Sequence, residues 1–172
     1  MRFRQLDKIT ELVRGERIVA VRHVRADEDY LRDHFPLFPV MPGVLMLEAL
    51  FQASCWLIRA TEEFENSLLV LREAKNVKFA DFMEPNQTLQ ITAEILKSER
   101  DTVSIKAAGT KGETLAVSAR LIIGKSCLKS KQEDLSSLDE FMRESMRLQF
   151  EQLMAFTNGE SRDRLENIAA AR

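Results

Sequence analysis

The sequence predicts an α+β fold: an antiparallel sheet wrapped around one long central helix, followed by a C-terminal helical appendage. Three observations carry this. From Gly43 the stretch "VLMLEALFQASCWLIRATEEF" has no proline or glycine and is apolar nearly all round as far as Ile58, as expected of a helix buried on most sides. Four strand-like runs follow, separated by connections short enough for antiparallel turns. After Lys125 the composition shifts to a polar sequence with a single apolar stripe at helical spacing.

Each element has its own justification. Apolar residues recur loosely from Phe3 to Val13, "VRGER" (13–17) supplies a turn, and "RIVAVRHV" (17–24) is dense in β-branched residues, so the chain opens on a hairpin. Residues 25–42 are charged and then proline-rich, hence non-regular. Pro42 ahead of Gly43 suits a helix start. The later strands are read over 68–79, 88–98, 102–110 and 114–124. Leu89, Ile91, Ala93 and Ile95 alternate with period two, and "SERD" and "KGE" fit tight turns. One helix inside one curved antiparallel sheet is the hot-dog architecture. Residues 1–125 form that domain and 126–172 the helical extension. In the extension, Ser137 to Glu140 has the form of a capping box and Asn158-Gly159 that of a helix stop, with the last dozen residues frayed or weakly helical. Leu135, Leu138, Met142, Met146, Phe150 and Leu153 make one apolar stripe, which predicts packing on the chain's own domain or on another subunit.

Composition narrows the partners. The chain has 172 residues, 45% hydrophobic and 30% charged, with a formal net charge of −2. That length buries a real core, and that balance gives no reason for a nucleic-acid or strongly anionic partner. No stretch approaches the ~18 to 20 apolar residues of a membrane span, and the start, "MRFRQLDKIT", lacks a signal peptide's apolar centre. A soluble cytoplasmic protein is the expectation. Cys55 and Cys127 lie far apart with no metal-ligand spacing; they read as reduced thiols, a single disulfide being the alternative.

The stretch "HFPLFPVMPGVLMLEAL" (34–50) carries the chemistry. Three of the chain's four prolines, Pro36, Pro39 and Pro42, stiffen the path between His34, one of only two histidines, and the helix. Glu48 is an acid inside an apolar run, where an ionised carboxylate without a partner costs several kcal/mol. Gln52, one turn on, shares its face and is placed to orient it. His23, on the second strand of the hairpin, reads as structural, and Cys55 as packing.

That segment, with "QA" following, resembles the motif of the β-hydroxyacyl-acyl carrier protein dehydratases of fatty-acid synthesis, typically HFPGxPVMPGVLxxEAMxQA. "LDKITELVRGERIVAVRHV", "DEDYLRDHFP" and "KNVKFADFMEPNQTLQITAEI" resemble the flanking segments, the last in the place where the family carries a Pro-Gly-Asp turn. The likeness runs from about Phe3 to Gly124. It implies a hot-dog dehydratase of (3R)-3-hydroxyacyl thioesters that needs no cofactor or metal. The substrate would ride on the phosphopantetheine of an acyl carrier protein. Position by position, the resemblance makes His34 and Glu48 catalytic, gives the Gly43 N–H to the thioester carbonyl, and makes Gln52 the acid's helix neighbour. It implies a homodimer or higher assembly, with the two catalytic residues of a site drawn from different subunits and the acyl chain in a tunnel along their interface. Phe35, Phe38, Phe51 and Trp56 are the candidates for its wall. His34 as base takes the α-proton and Glu48 as acid protonates the departing hydroxyl.

The pattern departs from the family at Asp33 and Leu37, where glycine is usual and a side chain restricts the backbone or narrows the pocket. Ala80 and Asp81 stand where a basic residue often helps to dock the acidic carrier. Two other readings stay open: a hot-dog thioesterase, which also uses a helix carboxylate but needs no proline-braced histidine ahead of it, and a non-catalytic subunit that pairs with an active homologue.

Overall fold

The computed structural model describes residues 3–128 and 135–155. The elements are β1 (Lys8–Val13), β2 (Arg17–His23), α1 (Tyr30–Asp33), α2 (Gly43–Thr61), β3 (Leu68–Phe79), β4 (Thr88–Ser98), β5 (Thr102–Lys111), β6 (Thr114–Ser126) and α3 (Ser136–Ala155). The strands form one six-stranded sheet in the order β1-β2-β4-β5-β6-β3, every pairing antiparallel. The hairpin, the central helix and the four later strands all lie where the residue pattern places them.

The alternation explains the wrapping. Ile18 and Ala20 of β2, Leu89, Ile91 and Ala93 of β4, Val103, Ile105 and Ala107 of β5, and Val117, Ala119, Leu121 and Ile123 of β6 are buried. They form one core cluster with Met46, Ala49, Leu50, Ala53, Leu57 and Ile58 of α2. Alanines on both the helix and the strands let the two layers approach closely. Within the sheet Gly109 of β5 makes room for its neighbours, since a Cβ there would stand 2.8 Å from Leu89 Cδ1 of β4 and 2.9 Å from Val117 Cγ1 of β6. The turn at Pro85-Asn86-Gln87, where the family pattern has glycine, is made by Asn86 in the left-handed region, φ 67°, which asparagine enters more easily than most residues.

Contrary to the expectation of no span-length segment, α2 is long and apolar enough, by length and composition, to cross a bilayer. The sheet that surrounds it makes it instead the core helix of this fold. The hairpin turn is pinned to its end, with Gly15 N–H donating to Thr61 Oγ1 at 2.8 Å.

α3 packs on its own domain. Leu153 is buried, and Met146, Phe150 and Met154 pack against the core cluster. Phe150 sits between Trp56 and Phe64, with ring centroids at 6.1 and 5.6 Å. Ser137 is not the cap, because the helix has already begun at Ser136. The first turn is secured instead by Asp139, which is fully buried. Its Oδ1 accepts the Leu128 N–H at 2.7 Å and the Ser67 hydroxyl, and Arg143 lies one turn on with Nε 3.3 Å from Oδ2. Hydrogen bonds, a cation and the helix N-terminus together make a buried carboxylate tolerable. Leu138 is half-exposed, so the stripe is buried chiefly in its second half. The expected stop at Asn158-Gly159 and the frayed last dozen residues lie outside the described residues.

Because Leu153 fills a closed site, Leu153→Ala should lower the stability of the folded chain by roughly 2 to 5 kcal/mol, read as a lower urea midpoint. A midpoint equal to that of the parent would mean that α3 is not docked in solution.

Candidate active site

His34 is fixed by the backbone around it. Arg22, buried on β2, pairs with Glu28 and lies 3.5 Å from Asp7, anchoring the segment ahead of α1. α1 ends with the His34 N–H bonded to the Tyr30 carbonyl at 2.9 Å. Phe35 follows in the left-handed region, φ 52°, a conformation that costs a bulky residue on the order of 1–3 kcal/mol and clusters at functional sites. The Phe38 N–H then closes a turn on the Phe35 carbonyl at 2.8 Å, and the Met41 N–H is tied to the Met83 carbonyl at 2.8 Å. The result is that Nδ1 of half-buried His34 lies 3.0 Å from the carbonyl oxygen of fully buried Val40. A carbonyl only accepts, so in the neutral ring Nδ1 carries the hydrogen and Nε2 presents its lone pair.

Glu48 lies half-buried on α2, facing away from the sheet. Its Oε1 accepts from Gln52 Nε2 at 2.8 Å. The Gln52 amide is itself locked, since its Oε1 accepts the Gln5 N–H at 2.8 Å and its Nε2 also donates to the Phe3 carbonyl at 2.7 Å. That network fixes which end of the amide is which and engages Oε1 of the Glu48 carboxyl. No hydrogen bond joins His34 to Glu48 among the described residues.

Gly43 is the first residue of α2, after Pro42, with no side-chain cap and no acidic residue in the first turn. Its N–H has no partner within the helix, and the positive end of the helix dipole is uncompensated. A Cβ on Gly43 would come within 3.1 Å of the Phe79 ring, so any larger residue at the helix start would need that ring to shift.

The remaining expected residues divide in two. Phe35 and Phe38 are 58% and 50% exposed, and Phe38 meets Phe82 edge-on at 5.6 Å. Phe51 is half-buried against the core. Trp56, expected at a tunnel wall, is buried under α3 against Phe150. Leu37 is fully exposed at the tip of its turn and Asp33 is helical with a solvent-facing side chain, so neither strains the backbone or intrudes on His34 within the chain. His23 is exposed and bonded to Thr88 Oγ1 at 3.1 Å. Phe79 and Phe82 were not among the expected residues; the only signal for them was two aromatics at a strand end.

Cys55 and Cys127 are free thiols. Among the described residues no group of three His, Cys, Asp or Glu could hold a metal ion.

A family model described as a FabA-like domain matches residues 1–120. The chain is 35% identical over 116 residues to the 3-hydroxyacyl-acyl-carrier-protein dehydratase FabZ of Levilactobacillus brevis, covering 67% of this chain and 78% of that one. It is 36% identical over 115 residues to the enzyme of the same name from Ruminiclostridium cellulolyticum, covering 66% and 81%. Among solved structures, the dehydratase heterocomplex ApeI:P of Xenorhabdus doucetiae aligns with a TM-score of 0.60 at 16% identity, over 78% of this chain and 90% of that one. A hypothetical thioesterase with coenzyme A from Streptococcus pneumoniae aligns at 0.54 with 14% identity, over 69% and 84%. The two structures share the fold.

Burial pushes the Cys55 thiol up to about 12, with Arg59 opposing and Glu48 adding to the shift. The raised value keeps it a neutral thiol well above pH 8, and thiolate is the reactive form. At pH 8 Cys55 should therefore resist alkylation in the folded chain while half-buried Cys127 is labelled. Equal labelling of both, read by peptide mass, would contradict this burial.

Proposed function

The chain belongs to the FabA-like family of hot-dog dehydratases, and from that membership we propose how its own residues perform the reaction. The reaction is removal of water from (3R)-3-hydroxyacyl-acyl-carrier-protein thioesters to give trans-2-enoyl thioesters in fatty-acid or related acyl-chain synthesis. His34 Nε2 takes the proton from the carbon next to the thioester carbonyl. The electron pair passes first toward the carbonyl oxygen, where the Gly43 N–H and the α2 dipole stabilise the charge. It then forms the new double bond as the C3–O bond breaks, and protonated Glu48 Oε2 delivers its proton to the departing hydroxyl, which leaves as water. Hydration runs the same steps in reverse. The observation that carries this reading is the His34–Val40 bond, which fixes the ring tautomer a base needs.

One site is proposed to take its His34 and its Glu48 from different subunits. Among the described residues the outer edge of β3 has no strand partner, and an open edge twelve residues long is a template for pairing with a second copy. Val44, Phe35, Leu37, Phe38 and Phe79 leave apolar surface exposed around the site, which a partner subunit and the acyl chain would cover. The carrier protein is the macromolecular partner. Asp81 is paired with Lys111 at 2.8 Å, and that lysine, which holds the Asp81 carboxyl below its usual range, offsets the acid standing where the family often has a base.

His34→Ala and Glu48→Gln should each slow dehydration by roughly 10² to 10⁴, with the fold kept by circular dichroism. Either variant running at the parent's rate removes that residue from the mechanism.

A further inference from the structure

We propose that the backbone of Phe3 and Gln5 is a positioning element for the acid: it holds the Gln52 amide in one orientation and so keeps the Glu48 proton on Oε2. The inference rests on the dehydratase reading above and adds to it a segment with no catalytic side chain. The bonds leave the amide one way to lie. Its oxygen accepts the Gln5 N–H at 2.8 Å. Its nitrogen donates one hydrogen to the Phe3 carbonyl at 2.7 Å and the other to Glu48 Oε1 at 2.8 Å. Turned over, the amide would set its oxygen against two acceptors and its nitrogen against a donor.

The acid senses that orientation. An N–H is accepted best by the carbonyl oxygen of a protonated carboxyl, so the bond at Oε1 favours the acid's hydrogen on Oε2. Without the clamp the amide can rotate and accept that hydrogen through its own oxygen. A proton held by Gln52 is withheld from the departing hydroxyl. The clamp is firm because its register is set just beyond it. Leu6 and Ile9 are buried in the core cluster. The Asp7 N–H donates to the Val21 carbonyl at 2.9 Å, and Asp7 Oδ2 accepts the His23 N–H at 2.5 Å. Main-chain atoms thus set the hydrogens of both proposed catalytic groups, Val40 for His34 and Phe3 with Gln5 for Glu48.

The test compares elimination from (3R)-3-hydroxybutyryl- and 3-chlorobutyryl-acyl carrier protein, because chloride departs without a proton and hydroxide does not. In the full-length chain Gln5→Pro removes the N–H. It should lower kcat for the hydroxy substrate by roughly 10- to 100-fold, the scale of a misplaced catalytic group, while KM and the chloro rate above background hold. Gln5→Ala keeps the N–H and should keep the parent's hydroxy-to-chloro ratio. A packing defect would lower both substrates together. An unmoved ratio in folded Gln5→Pro, or an equal fall in Gln5→Ala, therefore overturns the clamp and leaves the dehydratase reading standing. If Gln5→Pro does not fold, hydrogen exchange of the parent decides: the Gln5 amide should be protected, and exchange at the rate of an unfolded chain overturns the clamp. Failure of the parent to dehydrate the hydroxy substrate overturns both readings.

Discussion

The structure depends on one constraint: α2 is enclosed by the sheet, so only a narrow outward face is free to carry chemistry. Ala49, Ala53, Leu50 and Leu57 belong to the sheet-facing side. What remains is a stripe on which Glu48 and Gln52 stand one above another, with the helix start ahead of them. The start of the helix supplies the N–H that nothing inside the helix can satisfy. In the proposed mechanism Glu48 delivers the proton to the departing hydroxyl. In that mechanism the base is His34 of the other subunit, held on the rigid loop ahead of that subunit's helix. The prolines and the Val40 carbonyl hold that base in one tautomer.

Two strips of chain support this face from outside. The Phe3–Gln5 segment has no side-chain role in the chemistry, yet its backbone N–H and carbonyl decide how the Gln52 amide points and so which oxygen of Glu48 is left over. α3 does the corresponding job at the far end, where Phe150, Trp56 and Phe64 pack together. Both are secured by polar contacts with few alternatives. A buried Asp139 that lost its partners would cost far more than its bonds contribute, so the docking of α3 is specific in position as well as favourable in area.

Much of this was legible in the sequence, for reasons that differ by element. β4 was readable because Leu89, Ile91 and Ala93 alternate strictly, and α2 because its apolar run is too long for a strand. His34, Glu48 and Gln52 stood out as polar residues in surroundings that demand a reason. The tautomer of His34 was not legible, because it depends on a main-chain carbonyl brought back by a turn. The lock on Gln52 is likewise made by backbone groups some 47 and 49 residues away in the chain. The burial of Trp56 under α3 was not legible, because periodicity along α2 cannot say which side an appended helix will cover. Ser137 matched a capping pattern, but Asp139 took over the first turn because its partners, Ser67 and Leu128, come from other parts of the fold.

The claim at the centre of this account is that one active site joins His34 of one subunit to Glu48 of another. It is tested most directly by mixing the two inactive proteins, His34→Ala and Glu48→Gln, under conditions shown to exchange subunits, and following enoyl-thioester formation. Hybrid dimers would contain one site with both residues intact, so activity should return to a substantial fraction of the parent's, in proportion to the hybrids formed. An absence of recovery after verified exchange would contradict the shared site and place both residues of each site within a single chain.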